Sequence, residues 1–484
     1  MAYYGGSFLQ AAIQASTVER FARWPDLFKR LRRIEKITNT RSQIKTAEIL
    51  QKLSFRMLIS DLGRRPYKHF WIHSQRRPLT GPKVPLDRSV QRVLRVGGVR
   101  KFRKYADMQI PYWPALAFPT RPLSLAEITL VAPRTLDEPL RLKKCVFSLR
   151  GARVADNQLM GRIPPASTNA GGPAHFLIPD FPKRAPRVVI TSFKTSEQQW
   201  TKAALLRPDL SLKRYRLIRK LVNQILKDQP KAAYIVFPEC SLPRRWAIEI
   251  ATHLARARIS LLAGLEYYYD TKSRALRNDC MISMTTTWPG YPAQVIRLQP
   301  KMIPAHHEKA QLQRIRAKAL VETTDPHRGL PVYLHGGMFF GVLLCSDLTN
   351  IANRKHFQGA VDSLFILEWN SDVKTFSFLI EATAHDIHAF AVQVNNRMYG
   401  DSRIRAPYRD EHFRDLVRIK GGVSDYYVVS KINFMPLRSF HRTGNIKDRT
   451  FKPLPIGFVI SPERKNARSL PQAPMLVKTA RKLG

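Results

Sequence analysis

Three short stretches place a glutamate, a lysine and a cysteine in the second half of this 484-residue chain: Phe237-Pro238-Glu239, Pro300-Lys301-Met302 and Leu343-Leu344-Cys345-Ser346-Asp347. A cysteine attacks as its thiolate, so it needs a neighbouring base, and the oxyanion that follows the attack needs a fixed positive charge. Glu239, Lys301 and Cys345 are of the types that could fill these roles. The elements that must position them are strand-like. Glu239 follows the apolar run Ala233 to Phe237, Cys345 follows Met338 to Leu344, and Lys301 follows Val295-Ile296-Arg297-Leu298. Residues at strand ends sit on the rim of a sheet, where side chains distant in sequence can converge.

Each residue alone has a plainer reading. Glu239 could cap a helix starting near Leu242, because a carboxylate favours a helix N-terminus. Cys345 could be a buried cysteine packing as a small hydrophobe, and Lys301 one more surface lysine in a basic chain. Together these readings must explain three coincidences in one order.

That order, and the setting of each residue, resemble the nitrilase or carbon–nitrogen hydrolase superfamily. The resemblance runs from about residue 187 to about residue 433. Val188-Val189-Ile190-Thr191-Ser192-Phe193 resembles the opening strand, and Leu210 to Lys227 the following helix, with Leu210, Leu217, Leu221, Ile225 and Leu226 near a 3.6-residue period. Leu261 to Glu266 is similar to the second core strand, and Asn278 to Thr285 to the strand after it. Lys301 to Glu308 looks like the lysine segment with its second glutamate. Gly359 to Leu364 and Val392 to Asn396 resemble later strands. The resemblance implies an α/β fold, an αββα four-layer sandwich over residues 187–435.

It also implies a chemistry. Glu239 would be the general base that takes the thiol proton and later helps to protonate the leaving amine. Cys345 would form a thioester from an amide, or a thioimidate from a nitrile. Lys301 and the backbone N–H of Ser346 would hold the oxyanion, and Glu308 would orient the lysine or the attacking water. Water would release an acid, whereas an amine acceptor would make the protein an acyltransferase. The scheme needs no metal or organic cofactor. The sequence departs from the pattern after the nucleophile, where many relatives carry an aromatic residue and this chain has Ser346. The His306-His307 pair, and His385 with His388, raise a metal reading, but a metal needs three or four convergent ligands and metal ligation is not the expectation. A catalytically silent binding or dimerisation module is the alternative to an enzyme.

The chain carries 81 Lys plus Arg against 36 Asp plus Glu, a net charge of +45. Such an excess attracts polyanions, with nucleic acid foremost. Basic clusters at Lys29-Arg30-Leu31-Arg32-Arg33, Arg64-Arg65, Arg76-Arg77, Lys101-Phe102-Arg103-Lys104 and Lys143-Lys144 interleave with Phe28, Tyr67, Phe70, Trp71, Phe102 and Tyr105. That mixture suits phosphate contacts and base stacking, although basic residues also simply solvate exposed faces. Nitrilase-like domains are joined to reverse transcriptases in one class of bacterial antiviral systems, and a basic extension fits that setting. Residues 1–186 nevertheless show no polymerase catalytic motif.

The expected organisation is a basic helical region over 1–75, a basic proline-rich region and linker over 76–186, the nitrilase-like domain over 187–435 and a basic extension over 436–484. Pro25-Asp26 can start a first helix, and Gln43 to Leu62 reads as a second. Ile128-Thr129-Leu130-Val131 reads as a short strand, and Ile456 to Ile460 as an added edge strand. No apolar run is long enough to span a bilayer and no secretory signal opens the chain, so cytoplasm is the expected location, with no membrane partner. Cys145, Cys240, Cys280 and Cys345 show no metal-ligand spacing or disulfide framework. A homodimer or larger homo-oligomer acting on a small amide or nitrile completes the expectation.

Overall fold

The computed structural model describes residues 124–131, 133–140, 142–143, 146, 160–163, 172–270, 273–322, 329–444 and 449–466. The expected helices before residue 63 and the basic clusters before residue 105 lie outside these residues. The chain divides into two compact units, Met1–Gly161 and Arg162–Gly484.

In the first unit, helix α1 (Leu125–Val131) replaces the expected strand at Ile128 to Val131. The β-branched residues of that segment suggest a strand, yet Leu125, Ala126, Ile128 and Thr129 are the buried positions. That is a helical spacing rather than an alternating one, and Thr129 turns its hydroxyl back to the Ala126 carbonyl at 3.2 Å.

The second unit is built on two sheets. Its strands, in chain order, are β1 (Gly161–Ile163), β2 (His175–Ile178), β3 (Arg187–Ser192), β4 (Tyr234–Leu242), β5 (Ser260–Leu265), β6 (Tyr268–Asp270), β7 (Ala275–Arg277), β8 (Asp279–Thr286) and β9 (Ala293–Pro300). They continue with β10 (Val332–His335), β11 (Met338–Leu344), β12 (Ser363–Glu368), β13 (Phe390–Asn395), β14 (Ser402–Arg405), β15 (Asp415–Ile419) and β16 (Tyr426–Lys431). The six-stranded sheet has the order β16-β3-β4-β5-β8-β9, and the eight-stranded sheet the order β1-β2-β10-β11-β12-β13-β14-β15. At the centre of each, three strands run parallel: β3, β4 and β5 in one, β11, β12 and β13 in the other. Parallel strands covered on both faces read as continuous apolar runs; every position of β4, β5, β11, β12 and β13 is buried.

The sheets pack face to face, β12 and β13 against β4, β13 and β14 against β3. Between them Tyr234, Phe340 and Phe365 meet edge-on or tilted at 5.4–5.9 Å, and Tyr333 stacks on Phe340. The Tyr234 hydroxyl pairs with His335 Nδ1 at 2.6 Å, so the polar tip of this buried ring is satisfied. Helices cover the outer faces. Between β3 and β4 lie α2 (Glu197–Ala204) and α3 (Leu212–Asp228), and α4 (Arg244–Arg256) packs on β5, β8 and β9. Helix α5 (His306–Arg314) puts Leu312 in one buried cluster with Trp200 and Ala204 of α2, and on the other side α6 (Ile351–Phe357) precedes α7 (Val373–Thr383), which packs on β13.

Helix α3 starts two residues later than expected, capped by the Ser211 side chain on the Arg214 N–H. Its buried stripe is Arg214, Ile218, Leu221, Val222 and Ile225, while Leu210 and Leu217 are exposed. Arg214 occupies the inward position because Glu266, also buried, receives its guanidinium at 2.6 Å.

Both ends of the unit reach beyond the span 187–435. The segment read as linker supplies β2, which pairs in parallel with β10. Past residue 435, α8 (Phe434–Thr443) and the segment 449–466 fold onto the same core. Arg438 and Arg464, both fully buried, converge on the Asp362 carboxylate, Arg464 at 2.7 Å. Ile456 to Ile460 is not an edge strand. It is a turn and an extended stretch whose Phe458 ring lies against His388 and His441, with Ser461 N–H bonded to Gly359 O. Among the described residues no helix is long and apolar enough to cross a membrane.

Candidate active site

Glu239 does not cap a helix. Strand β4 continues past it to Leu242, with its pairing to β5 broken between Phe237 and Leu242, and Pro243 stands at the α4 N-cap. The irregularity turns the Glu239 side chain inward, helped by Gly264 on β5: a Cβ there would lie 2.3 Å from the Glu239 Cα. Cys240 takes up the distortion with φ of 51°. Lys301 follows the last residue of β9, and its backbone N–H is tied to Asn278 O at 2.8 Å. Cys345 follows β11 directly, has φ of 45° and opens a single 3-10 turn, Cys345–Thr349. A non-glycine residue in this left-handed region is strained, and such strain is concentrated at functional sites.

These positions converge. Lys301 Nζ donates to Glu239 Oε1 at 3.0 Å and to Glu308 Oε2 at 2.7 Å. Asn278 Nδ2 donates to Glu239 Oε1 at 2.7 Å and reaches Glu308 Oε1 at 3.3 Å. The Tyr267 hydroxyl donates to Glu308 Oε1 at 2.5 Å and itself receives Trp200 Nε1 at 3.2 Å. Glu308 sits in the first turn of α5 and also accepts the Ala305 N–H at 3.1 Å. Cys345 joins through Trp369, just beyond β12. The Trp369 N–H donates to Glu239 Oε2 at 3.0 Å, and its carbonyl accepts from Cys345 Sγ at 3.7 Å. One backbone residue therefore touches both the carboxylate and the thiol.

Asp347 is the clamp between the cysteine turn and the lysine loop. Its buried carboxylate accepts the N–H groups of Met302 at 3.1 Å, of Ile303 at 3.5 Å and of Leu344 at 3.4 Å. The Ser346 hydroxyl donates to Ile303 O at 3.2 Å, a second tie between the same two segments.

The electrostatics follow from burial. Desolvation works against the Lys301 ammonium, but the Glu239 and Glu308 carboxylates together outweigh it and hold its pKa well above the ordinary range. Burial also opposes the Glu308 charge; Lys301 and the hydrogen bonds from Lys301, Tyr267 and Ala305 prevail and lower its pKa. Burial pushes the Cys345 thiol well above its usual value, with Glu239 adding to the shift and Lys301 opposing it. Burial thus favours the protonated form of this thiol. Desolvation raises Asp347 to about 7, against Lys301 and its three backbone donors.

The histidines take no part in this site. His306 and His307 are exposed at the start of α5. His388 is buried away from it, bonded to His441 at 2.9 Å and to Lys452 O at 2.8 Å. Among the described residues no group of three or more His, Cys, Asp or Glu is arranged to hold a metal ion. Asn278, Tyr267 and Trp369 belong to the site, yet sequence reasoning does not single them out. Asn278 alone has a signal, a polar residue at the head of an apolar strand.

No protein-family profile matches the chain, and no curated protein matches it. Solved structures to which the chain is similar include Nit3 of Saccharomyces cerevisiae, a member of branch 10 of the nitrilase superfamily. It is 14% identical with a TM-score of 0.40, over 56% of this chain and 99% of that one. XC1258 of Xanthomonas campestris, a CN-hydrolase superfamily protein with an arsenic adduct in its active site, is 12% identical with a TM-score of 0.38, over 53% and 94%. An amidase from Nesterenkonia sp. is 13% identical with a TM-score of 0.36, over 52% and 92%. At these values the likeness carries no functional weight, and only the geometry of the site bears on its chemistry.

Proposed function

We propose that this chain is a cysteine-dependent carbon–nitrogen hydrolase with a nitrilase-type αββα core, acting on an amide or nitrile through a thioester or thioimidate on Cys345. The observation that carries the reading is the contact of Glu239 and Cys345 with opposite sides of one residue, Trp369, while Lys301 is held between Glu239 and Glu308. Because burial keeps the thiol protonated, Glu239 takes its proton as the carbon–sulfur bond forms rather than beforehand. The Lys301 ammonium, unable to lose its proton between two carboxylates, is suited to the oxyanion, together with the Ser346 N–H. Glu239 then returns the proton to the leaving amine, and water or an amine acceptor releases the acyl group. Glu308 fixes the lysine and needs no proton transfer of its own.

The test is release of ammonia or amine from a panel of short amides and nitriles. Wild type should turn over at least one member, and Cys345→Ala, Glu239→Gln and Lys301→Ala none. A folded wild type silent on the whole panel, with no acyl adduct on Cys345 when no nucleophile is added and no hydroxamate released when hydroxylamine is added, would favour the binding-module alternative. The net charge of +45 supports nucleic acid as a partner of the basic N-terminal region, the feature that would join this core to a reverse-transcriptase-linked system. Phosphate contacts there should make nucleic-acid affinity fall steeply as salt rises.

A further inference from the structure

Glu368 is a buried carboxyl beside the site that the proposed chemistry does not use. It is the last residue of β12, directly before Trp369, and it is fully shielded from solvent. Its Oε2 accepts Gln393 Nε2 at 2.8 Å, and its Oε1 has no hydrogen-bond partner among the described residues. Gln393 in turn receives Arg403 Nε at 3.2 Å, and Arg403 is anchored on Ser377 O of α7 at 2.5 Å. The charged groups that face Glu368 are Glu239 from β4, Cys345 from the turn after β11, and Arg403 and Asp401 from the strand and loop of β14.

We propose that Glu368 is a positioning residue which, as a neutral carboxylic acid, anchors the strand end that carries Trp369 and keeps a second negative charge away from the Cys345–Glu239 pair. This role deepens the hydrolase reading and rests on it. Two facts of geometry favour the neutral form. A buried carboxylate needs several donors or a close cation, and Glu368 has one neutral donor and a bare oxygen. Arg403 does attract it, but Asp401 and Asp415 share that guanidinium, and Glu239 repels. Burial, reinforced by Glu239, accordingly pushes the carboxyl up to about 8. Below that pH the group is neutral and silent, and above it an added anion disfavours the Cys345 thiolate.

The experiment is alkylation of Cys345 by iodoacetamide, read by peptide mass spectrometry on the full chain across pH 6–10, in wild type and Glu368→Gln. The wild-type rate should rise with pH and flatten above pH 8. The variant should coincide with it below pH 7 and run about tenfold faster near pH 9.5, the equivalent of one pKa unit at the thiol. Coincident profiles at every pH, or a folded variant slow at every pH, would overturn the proposal. So would a flattening that survives in Glu368→Gln, since it would then belong to Asp347. If the variant does not fold, a wild-type profile without a bend overturns it equally. The infrared spectrum of wild type minus Glu368→Gln supplies a readout independent of the thiol. At pH 6.5 it should show the C=O band of a protonated buried carboxyl, and its absence would sink the neutral form. A present band with an inert Cys345 would refute the hydrolase reading and the coupling to the thiol, while leaving the neutral acid standing as a structural fact.

Discussion

Replacing Lys301 by methionine tests the site through stability as well as chemistry. The lysine side chain is 5% exposed, and its partners Glu239 and Glu308 are 2% and 8% exposed, so no water stands ready to take its place. Two carboxylates held at 3.0 and 2.7 Å would lose their common cation while Asn278 still draws both together. Removing one partner of such a buried set costs about 3–5 kcal/mol, because charge is left uncompensated. In a unit of this size that corresponds to a melting point lower by roughly 4–7 °C. Adding Glu308→Gln removes one of the two anions, so the double variant should melt above the single one. Reactivity should not recover with it: if Lys301 has its proposed oxyanion role, its loss costs about 100- to 1,000-fold in rate. Thermal and urea unfolding of wild type, single and double variants give the first comparison, and turnover or Cys345 acylation the second. A single variant that melts within about 2 °C of wild type, or a double variant less stable than the single, would refute the claim that Lys301 neutralises two buried carboxylates.

Other substitutions have equally definite outcomes. Asp347→Ala strips the acceptor from three backbone N–H groups, so it should lower stability by about 2–4 kcal/mol in urea unfolding and slow Cys345 alkylation, whereas Ser346→Ala should do little to stability. Gly264→Ala should damage the fold around Glu239 despite its small size, seen as a lower melting point, because its Cβ would fall 2.3 Å from a backbone atom. Asp362→Asn leaves two buried guanidiniums without their anion and should expose the segment 449–466 to limited proteolysis. Burial opposes the Asp362 charge, but Arg464 and Arg438 hold its pKa down at about 2. Its stabilising contribution is therefore complete above the ordinary carboxylate value and is lost as pH falls through about 2. Acid unfolding of Asp362→Asn should lack that component.

The legible parts of the fold are those where sequence-local chemistry decides. Strands β3, β4, β5, β11, β12 and β13 are buried on both faces and stand out as apolar runs. Helix α3 is visible in the sequence, but its inward face is not, because an arginine paired with a buried glutamate looks like surface until Glu266 is seen opposite it. Strand β2 hides in a proline- and glycine-rich segment, its four residues too short to signal anything without β10 beside them. Arg438 and Arg464 look like part of a basic tail, since only the three-dimensional position of Asp362 makes them core residues. At the site, the types Glu239, Lys301, Glu308 and Cys345 can be named from sequence. Asn278 carries only the weak signal of a polar residue at the head of an apolar strand, and Tyr267, Trp369 and Glu368 carry none, because their part depends on tertiary distances that no local pattern encodes.

The most direct test of the central claim needs no substrate. It is the alkylation rate of each cysteine, by peptide mass spectrometry, in wild type, Glu239→Gln and Lys301→Ala. Cys240, Cys280 and Cys345 are all buried. Burial pushes Cys240 and Cys280 up as it does Cys345, but neither has the Trp369 link to Glu239. Cys345 should react well ahead of the other two, and either substitution should change its rate while leaving that of Cys280 alone; Cys240, next to Glu239, feels both charges and is no control for the substitutions. A Cys345 that reacts no faster than Cys240 and Cys280, or at the same rate in all three folded proteins, would contradict a shared Glu239–Lys301–Cys345 site.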